Sequence, residues 1–176
     1  MPDGTYIPSG IQIIPKRTLK GKITIPASYN NQKIVSIGDF NNCLGLTHVF
    51  MEKGSKVQHI DANTFQNLME LKYFDFSLNT IKYIGESAFL NCPLINTNIG
   101  NAVQRVERYA FNGAFCPEVT HLTLPASLRQ IDEYAFCYLS IAYGASLQIG
   151  SDSAYSYLDF SRSYASDASG IPVFFW

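Results

Sequence analysis

Short stretches of alternating apolar and polar residues recur along the chain. They are Lys22-Ile23-Thr24-Ile25, His48-Val49-Phe50-Met51, Tyr73-Phe74-Asp75-Phe76, His121-Leu122-Thr123-Leu124 and Ser146-Leu147-Gln148-Ile149. A period of two over so few residues predicts a strand with one buried face. Asn96-Thr97-Asn98-Ile99 falls in the same frame but puts Thr97 where the others put an apolar residue, which predicts a weak or irregular strand. Pro26 and Pro125 follow two of these stretches, at a strand end where a missing N–H does least harm.

Between the strands a second pattern repeats. Ile37, Ile60, Ile84, Val106 and Ile131 recur at steps of 22 to 25 residues, and Phe40, Phe65, Phe89, Phe111 and Phe136 follow them at nearly the same steps. Ile34, Val57, Ile81, Val103 and Leu128 each lie three positions before the anchoring Ile or Val. Coincident columns at one period are the signature of a repeat architecture. Each unit therefore reads as a strand, a turn, an apolar pair, and a short turn or a helical or 3-10 piece ending in Phe. One such coil cannot bury both its strand face and its Phe, whereas stacked coils cover one another. The expected fold is a mainly β repeat solenoid with one parallel sheet, spanning about five to six coils over residues 22–149. Residues 1–21, with Ile7-Pro8 and Ile13-Ile14-Pro15, read as an N-terminal cap. Residues 150–176 leave the repeat and read as a divergent C-terminal cap or interface segment, where Leu158 and Phe160 supply a further strand.

The frame Ile81 to Phe89, with Gly85 and Ala88 inside it, Cys92 and Leu94 after it, and an Ile25-Pro26 strand end upstream, resembles the BspA-like class of leucine-rich repeats. Residues 23–37 resemble that class's opening unit, and the likeness covers roughly residues 22–139. The resemblance implies a curved solenoid with a parallel sheet on one face. It also implies that class's roles, which are bacterial or protozoan cell-surface adhesion and modules of other displayed proteins, phage virions included. A scaffold of this kind does not by itself name a ligand.

Composition narrows the partners. Hydrophobic residues make up 47% and charged residues 15%, with a formal net charge of −1, so the chain has the balance of a packed domain. It lacks the basic excess that nucleic acid selects for. Its apolar runs are only a few residues long, so membrane insertion is not expected. Met1-Pro2-Asp3-Gly4-Thr5 resembles no secretory signal. The expected setting is extracellular or surface-displayed, on a cell or a virion, with a protein or surface glycan as ligand, or neighbouring subunits of an assembly.

Candidate chemistry is sparse, and no enzyme activity, metal or cofactor is expected. Cys43 and Cys92 share a column two coils apart, about 10 Å at the strand spacing, too far for a disulfide. Cys116 and Cys137 fall outside that column. His48 and His121 share a frame position three coils apart, about 14 Å, so they hold no common metal, and His59 reads as a surface residue of another face. Asp61, Glu107 and Asp132 stand where Gly38 and Gly85 stand in other coils, and read as caps of the short helical turns. Asn42, Asn67 and Asn91 form a column expected to be buried and bonded to backbone. Asn112-Gly113 shifts that column by one residue, and an insertion near Ala114-Phe115-Cys116 is expected to bulge its coil.

The outward strand positions carry the candidate binding face: His48, Phe50, Tyr73, Asp75, Asn96, Asn98, His121 and Thr123. Phe50 and Tyr73 are the large groups among them, of the kind that anchors recognition. Phe174, Phe175 and Trp176 form a second candidate, an interface or lid at the chain end, because exposed apolar clusters are avoided.

Overall fold

In the computed structural model the residues described are 10–13, 15, 18–139 and, for the backbone alone, 146–149. The two caps expected at 1–21 and 150–176 lie largely or wholly outside these, as do Leu158, Phe160 and the candidate residues Phe174, Phe175 and Trp176. The described chain winds as a series of coils with parallel strands stacked coil upon coil, a β-solenoid of about five turns.

The sheet expected from the alternating stretches is present. Lys20–Ile25 pairs in parallel with Gly45–Met51, which pairs with Tyr73–Phe74. His121–Leu124 pairs in parallel with Ser146–Ile149. Val49, Phe74, Leu122 and Leu124 are wholly buried, so the inward register read from the sequence holds. The irregular rung expected at 96–99 takes the form of a single bridge, Asn98 to Thr123.

A second parallel ladder runs along another face. Ile11–Ile13, Gln32–Ile37, His59–Ile60, Tyr83–Ile84, Arg105–Val106 and Gln130–Ile131 pair in sequence, with Ile37, Ile60, Ile84, Val106 and Ile131 in register. The second member of each apolar pair, Ile37, Ile60, Ile84, Val106 or Ile131, thus lies in a short strand. Ser28–Tyr29 folds back on Gln32–Lys33 as a hairpin whose two turn residues, Asn30 and Asn31, have φ of 49° and 60°, the positive-φ pair that a two-residue hairpin turn demands.

No helix occurs among the described residues, so of the short turn or helical piece expected before each Phe the turn is what forms. Each corner is instead a tight turn closed by a backbone bond from residue i+3 to residue i, as from Ala88 N to Gly85 O at 3.2 Å and from Ala110 N to Glu107 O at 3.2 Å. The third residue of these turns is left-handed: Asn63, Ser87, Tyr109 and Tyr134 have φ of 55–60°. That conformation defines a type II-like turn and cannot continue a helix. The Asn column has the same origin. Asn67 and Asn91 (φ 59° and 57°) and Gly113 (φ 63°) take the third place of the next turn, closed onto Phe65, Phe89 and Phe111. They are at the surface, not buried as expected, and Asn91 Nδ2 donates to Asn67 Oδ1 at 2.8 Å.

The carboxylates read as helix caps bind neighbouring coils. Asp61 accepts from Ser36 Oγ at 2.6 Å and from Gln12 Nε2, Glu107 accepts from Glu86 N at 3.1 Å, and Asp132 meets Arg105 at 3.4 Å. With no helix to cap, their useful partners are polar groups of other coils, one coil away or, for Gln12, two.

The core is a column of stacked rings. Phe40, Phe65, Phe89, Phe111 and Phe136 follow one another at centroid separations of 5.2–5.3 Å, one ring per coil. Around it Cys43, Leu68, Cys92 and Ala114 form one buried column, each backbone N–H closing its turn onto the carbonyl of Phe40, Phe65, Phe89 or Phe111. Cys116 stands outside this column, with Phe115 N and Cys116 N donating to Cys92 O and Leu94 O of the preceding coil at 2.9 and 3.0 Å. The chain accommodates Gly113-Ala114-Phe115 and then returns to frame. None of the four cysteines forms a disulfide, and burial pushes the Cys92 thiol up to about 12, so it stays protonated and inert as a nucleophile.

Candidate functional site

Three side chains on the outer face of the first sheet gather into one platform. Parallel pairing sets His48 beside Tyr73, and alternation puts Phe50 on the same face as His48. Phe50 and Tyr73 lie 5.5 Å apart between ring centroids, His48 and Phe50 6.1 Å, and His48 and Tyr73 6.2 Å. All three are half-buried, so each keeps part of its ring open. Partial burial, with Lys22 and Lys72 behind it, lowers the pKa of His48, and burial followed by Asp75 raises that of Tyr73. Both shifts favour the neutral form at pH 7, so the platform is aromatic and uncharged.

The other expected binding residues divide. Asp75 is only 9% exposed, and its carboxylate accepts from Met51 N at 3.3 Å and Ser77 N at 2.9 Å. The expectation that it faces a ligand is corrected: it takes over the ladder where the strand ends. Asn96 is likewise committed, its Oδ1 accepting from Phe74 N at 3.2 Å and its Nδ2 donating to Phe74 O at 2.9 Å. Asn98 and His121 are exposed, and Thr123 is half-buried beside Asn98 across the bridge. His121 repeats the local bonding of His48, each ring nitrogen Nδ1 meeting the hydroxyl of the preceding threonine, but it stands away from the platform.

A groove of about 360 Å³ opens beside Tyr73, between the coil of 73–79 and the irregular rung. Ser77, Asn79, Thr97 and Asn101 line it with Asn96 and Asn98. Ser77, Asn79, Thr97 and Asn101 were not named as binding residues from the sequence, where Thr97 marked only an irregular strand. The available signal was the run of asparagines, at 79, 96, 98 and 101, replacing apolar alternation.

His59 departs furthest from its expected surface position. It is 7% exposed and stacked on Tyr83, with centroids 4.6 Å apart. Its Nε2 has no hydrogen-bond partner. Burial lowers its pKa, outweighing the opposing pull of Asp61, and Lys82 lowers it further. The folded state therefore binds a proton less readily than the unfolded chain, and stability is lost as pH falls from the unfolded value of about 6.5 towards the lower folded one. Urea midpoints are expected to fall between pH 7.5 and 5.5, and this slope is expected to flatten in His59→Phe. An equal slope in both proteins would assign the pH dependence elsewhere.

No group of three or more His, Cys, Asp or Glu among the described residues is placed to hold a metal. No helix among them is long and apolar enough to cross a membrane. The sequence matches the family described as the BspA type leucine rich repeat region, in six copies over residues 4–116 and 113–161. The chain belongs to the BspA-type leucine-rich repeat family. Six copies agree with the stacked coils, and the match extends beyond the stretch over which the motifs were read. No curated protein and no solved structure gives a significant match. Membership in this family supports a repeat-based binding module built on a typically non-enzymatic scaffold, and leaves the ligand to be argued from this chain's own surface.

Proposed function

We propose that this BspA-type repeat chain is a non-enzymatic adhesion module, displayed at a surface, that recognises a protein or glycan through the outer face of its first sheet. The observation that supports this is the His48, Phe50 and Tyr73 platform. The core behind it is complete without these rings, since Val49 and Phe74 already fill the inward positions. Three aromatic side chains held together on an exposed face supply large contact area at little cost in side-chain entropy.

The test is attachment of the labelled chain to a panel of cultured epithelial and bacterial cells. The parent chain is expected to attach to at least one cell type. Phe50→Ala/Tyr73→Ala is expected to weaken attachment about tenfold or more, the effect of losing one modest hot spot of about 1.4 kcal/mol, with a melting temperature close to that of the parent. Attachment unchanged in the double variant would remove this face from the reading.

A further inference from the structure

We infer that the groove beside Tyr73 is a binding site for a neutral saccharide, with Tyr73 as its stacking wall and asparagine amides as its hydrogen-bonding edge. This rests on the recognition reading above and gives it a ligand class.

The groove exists because one rung of the sheet is missing. The Asn96 amide occupies both polar groups of Phe74, so the main chain does not pair there and swings outward before rejoining the sheet at Asn98 and Thr123. The orientation of the remaining amides is set by backbone donors. Asn101 N donates to Asn79 Oδ1 at 2.8 Å, and Gly100 N donates to Asn98 Oδ1 at 3.2 Å. An N–H can point only at the oxygen of an amide, so in both residues the NH₂ half is left to serve the groove. Thr97 and Ser77 add hydroxyls that donate or accept, and the Asn101 side chain adds a third amide.

This chemistry selects among ligands. The lining holds no Asp, Glu, Lys or Arg, so nothing in it rewards a phosphate, a sulfate or an ionised peptide side chain. An extended peptide would add to a sheet edge through main-chain bonds, but Phe74 N and O, the groups such a strand would need, are already taken by Asn96. What the site rewards is a neutral molecule with hydroxyls along one edge and an apolar face for the ring of Tyr73. A pyranose has both. The volume lies at the small end of ligand sites, which span about 300–1,000 Å³, and fits about one or two sugar rings.

The experiment is binding of the whole chain to an array of immobilised neutral oligosaccharides and their sialylated and sulfated counterparts, followed by titration calorimetry with the best neutral disaccharide. Binding of neutral sugars is expected. Asn98→Asp keeps the oxygen that holds Gly100 N and replaces the amide donor, and it is expected to weaken binding at least tenfold. Asn101→Ala and Thr97→Val, both at exposed positions whose side chains hold no backbone group, are expected to do the same with melting temperatures unchanged. A preference for sialylated or sulfated sugars would overturn the proposal, as would neutral-sugar binding that survives all three substitutions. If no sugar binds while cell attachment still depends on Phe50 and Tyr73 and is abolished by protease treatment of the cells, the ligand is a protein; the saccharide site then falls and the recognition reading stands. Loss of both results removes both.

Discussion

Phe89→Ala is expected to cost about 3–5 kcal/mol of stability, the range for emptying a fully buried phenylalanine site. Phe89 is the middle ring of the central column. It stacks on Phe65 at 5.3 Å and on Phe111 at 5.2 Å, and it meets the edges of Phe74 and Phe76 at 5.2 and 5.8 Å. The cavity would open between two coils whose backbones are tied by Phe89 N to Ala110 O and Phe65 N to Ala88 O, both at 2.8 Å, so the walls have little freedom to collapse into it. In a solenoid each coil is stabilised by its neighbours alone, and a gap in the middle weakens the coupling of both halves. Domains of this size have total stabilities of about 5–15 kcal/mol, so urea unfolding of Phe89→Ala should shift to a much lower midpoint or lose its single transition. Phe40→Ala, at the column's end with one ring neighbour at 5.3 Å, is expected to cost less. A smaller loss for Phe89→Ala than for Phe40→Ala would mean that the rings do not form one continuous core.

The features that the sequence carried well are those repeated in every coil. The Phe column, the Ile and Val anchors and the alternating strands each recur several times, and a position repeated five times at one period reports a shared environment whatever a single copy would suggest. The second ladder was illegible for the opposite reason. Most of its strands are two residues long, as at Tyr83–Ile84, and two residues show no alternation. The turn conformation was hidden by residue choice. Asn63 is a usual occupant of a left-handed position, but Tyr109 and Tyr134 are not. Their rings stack on each other at 5.3 Å and Arg108 lies over the Tyr134 ring at 5.9 Å, contacts made across coils that no local pattern announces.

The candidate site was legible to the extent that it follows strand alternation. His48, Phe50 and Tyr73 sit where a period of two puts them, and cross-strand pairing does the rest. Asp75 and Asn96 failed because alternation assigns a side chain's direction from the backbone, whereas a carboxylate or an amide beside an unpaired backbone group turns to satisfy it. Both residues stand where the ladder stops, Asp75 serving Met51 N and Asn96 serving Phe74. The groove is the result of that substitution, so a reading that assumes regular strands misses it by construction.

Gly85→Ala and Gly38→Ala test the spacing of the coils, because the two glycines share a column and face different neighbours. A Cβ on Gly85 would lie 2.7 Å from Ala62 N, 2.8 Å from Asp61 C and 2.9 Å from Ile60 O, all backbone atoms of the preceding coil. Those atoms are held by the bond from Gly85 N to Ile60 O at 2.8 Å and by the register of Ile60 on Ile84, so relief requires the ladder itself to move. Overpacking of this kind costs about 1–3 kcal/mol or more. A Cβ on Gly38 would meet Gln12 Nε2 at 2.6 Å and Asp61 Oδ2 at 3.4 Å, the ends of two side chains that can swing aside. There the lost contact is offset by the reduced freedom of the unfolded chain, about 0.4–1 kcal/mol for a glycine to alanine change, and the net effect is expected to be near zero. Glu107 and Asp132 carry side chains in this same column, so the column as such admits a Cβ; the restriction at Gly85 comes from how closely its coil lies on the one before. Urea midpoints of the two variants measured side by side decide the matter. Equal effects would show that this approach does not limit the stacking, while a large loss confined to Gly85→Ala would place a limiting backbone approach one coil below the groove.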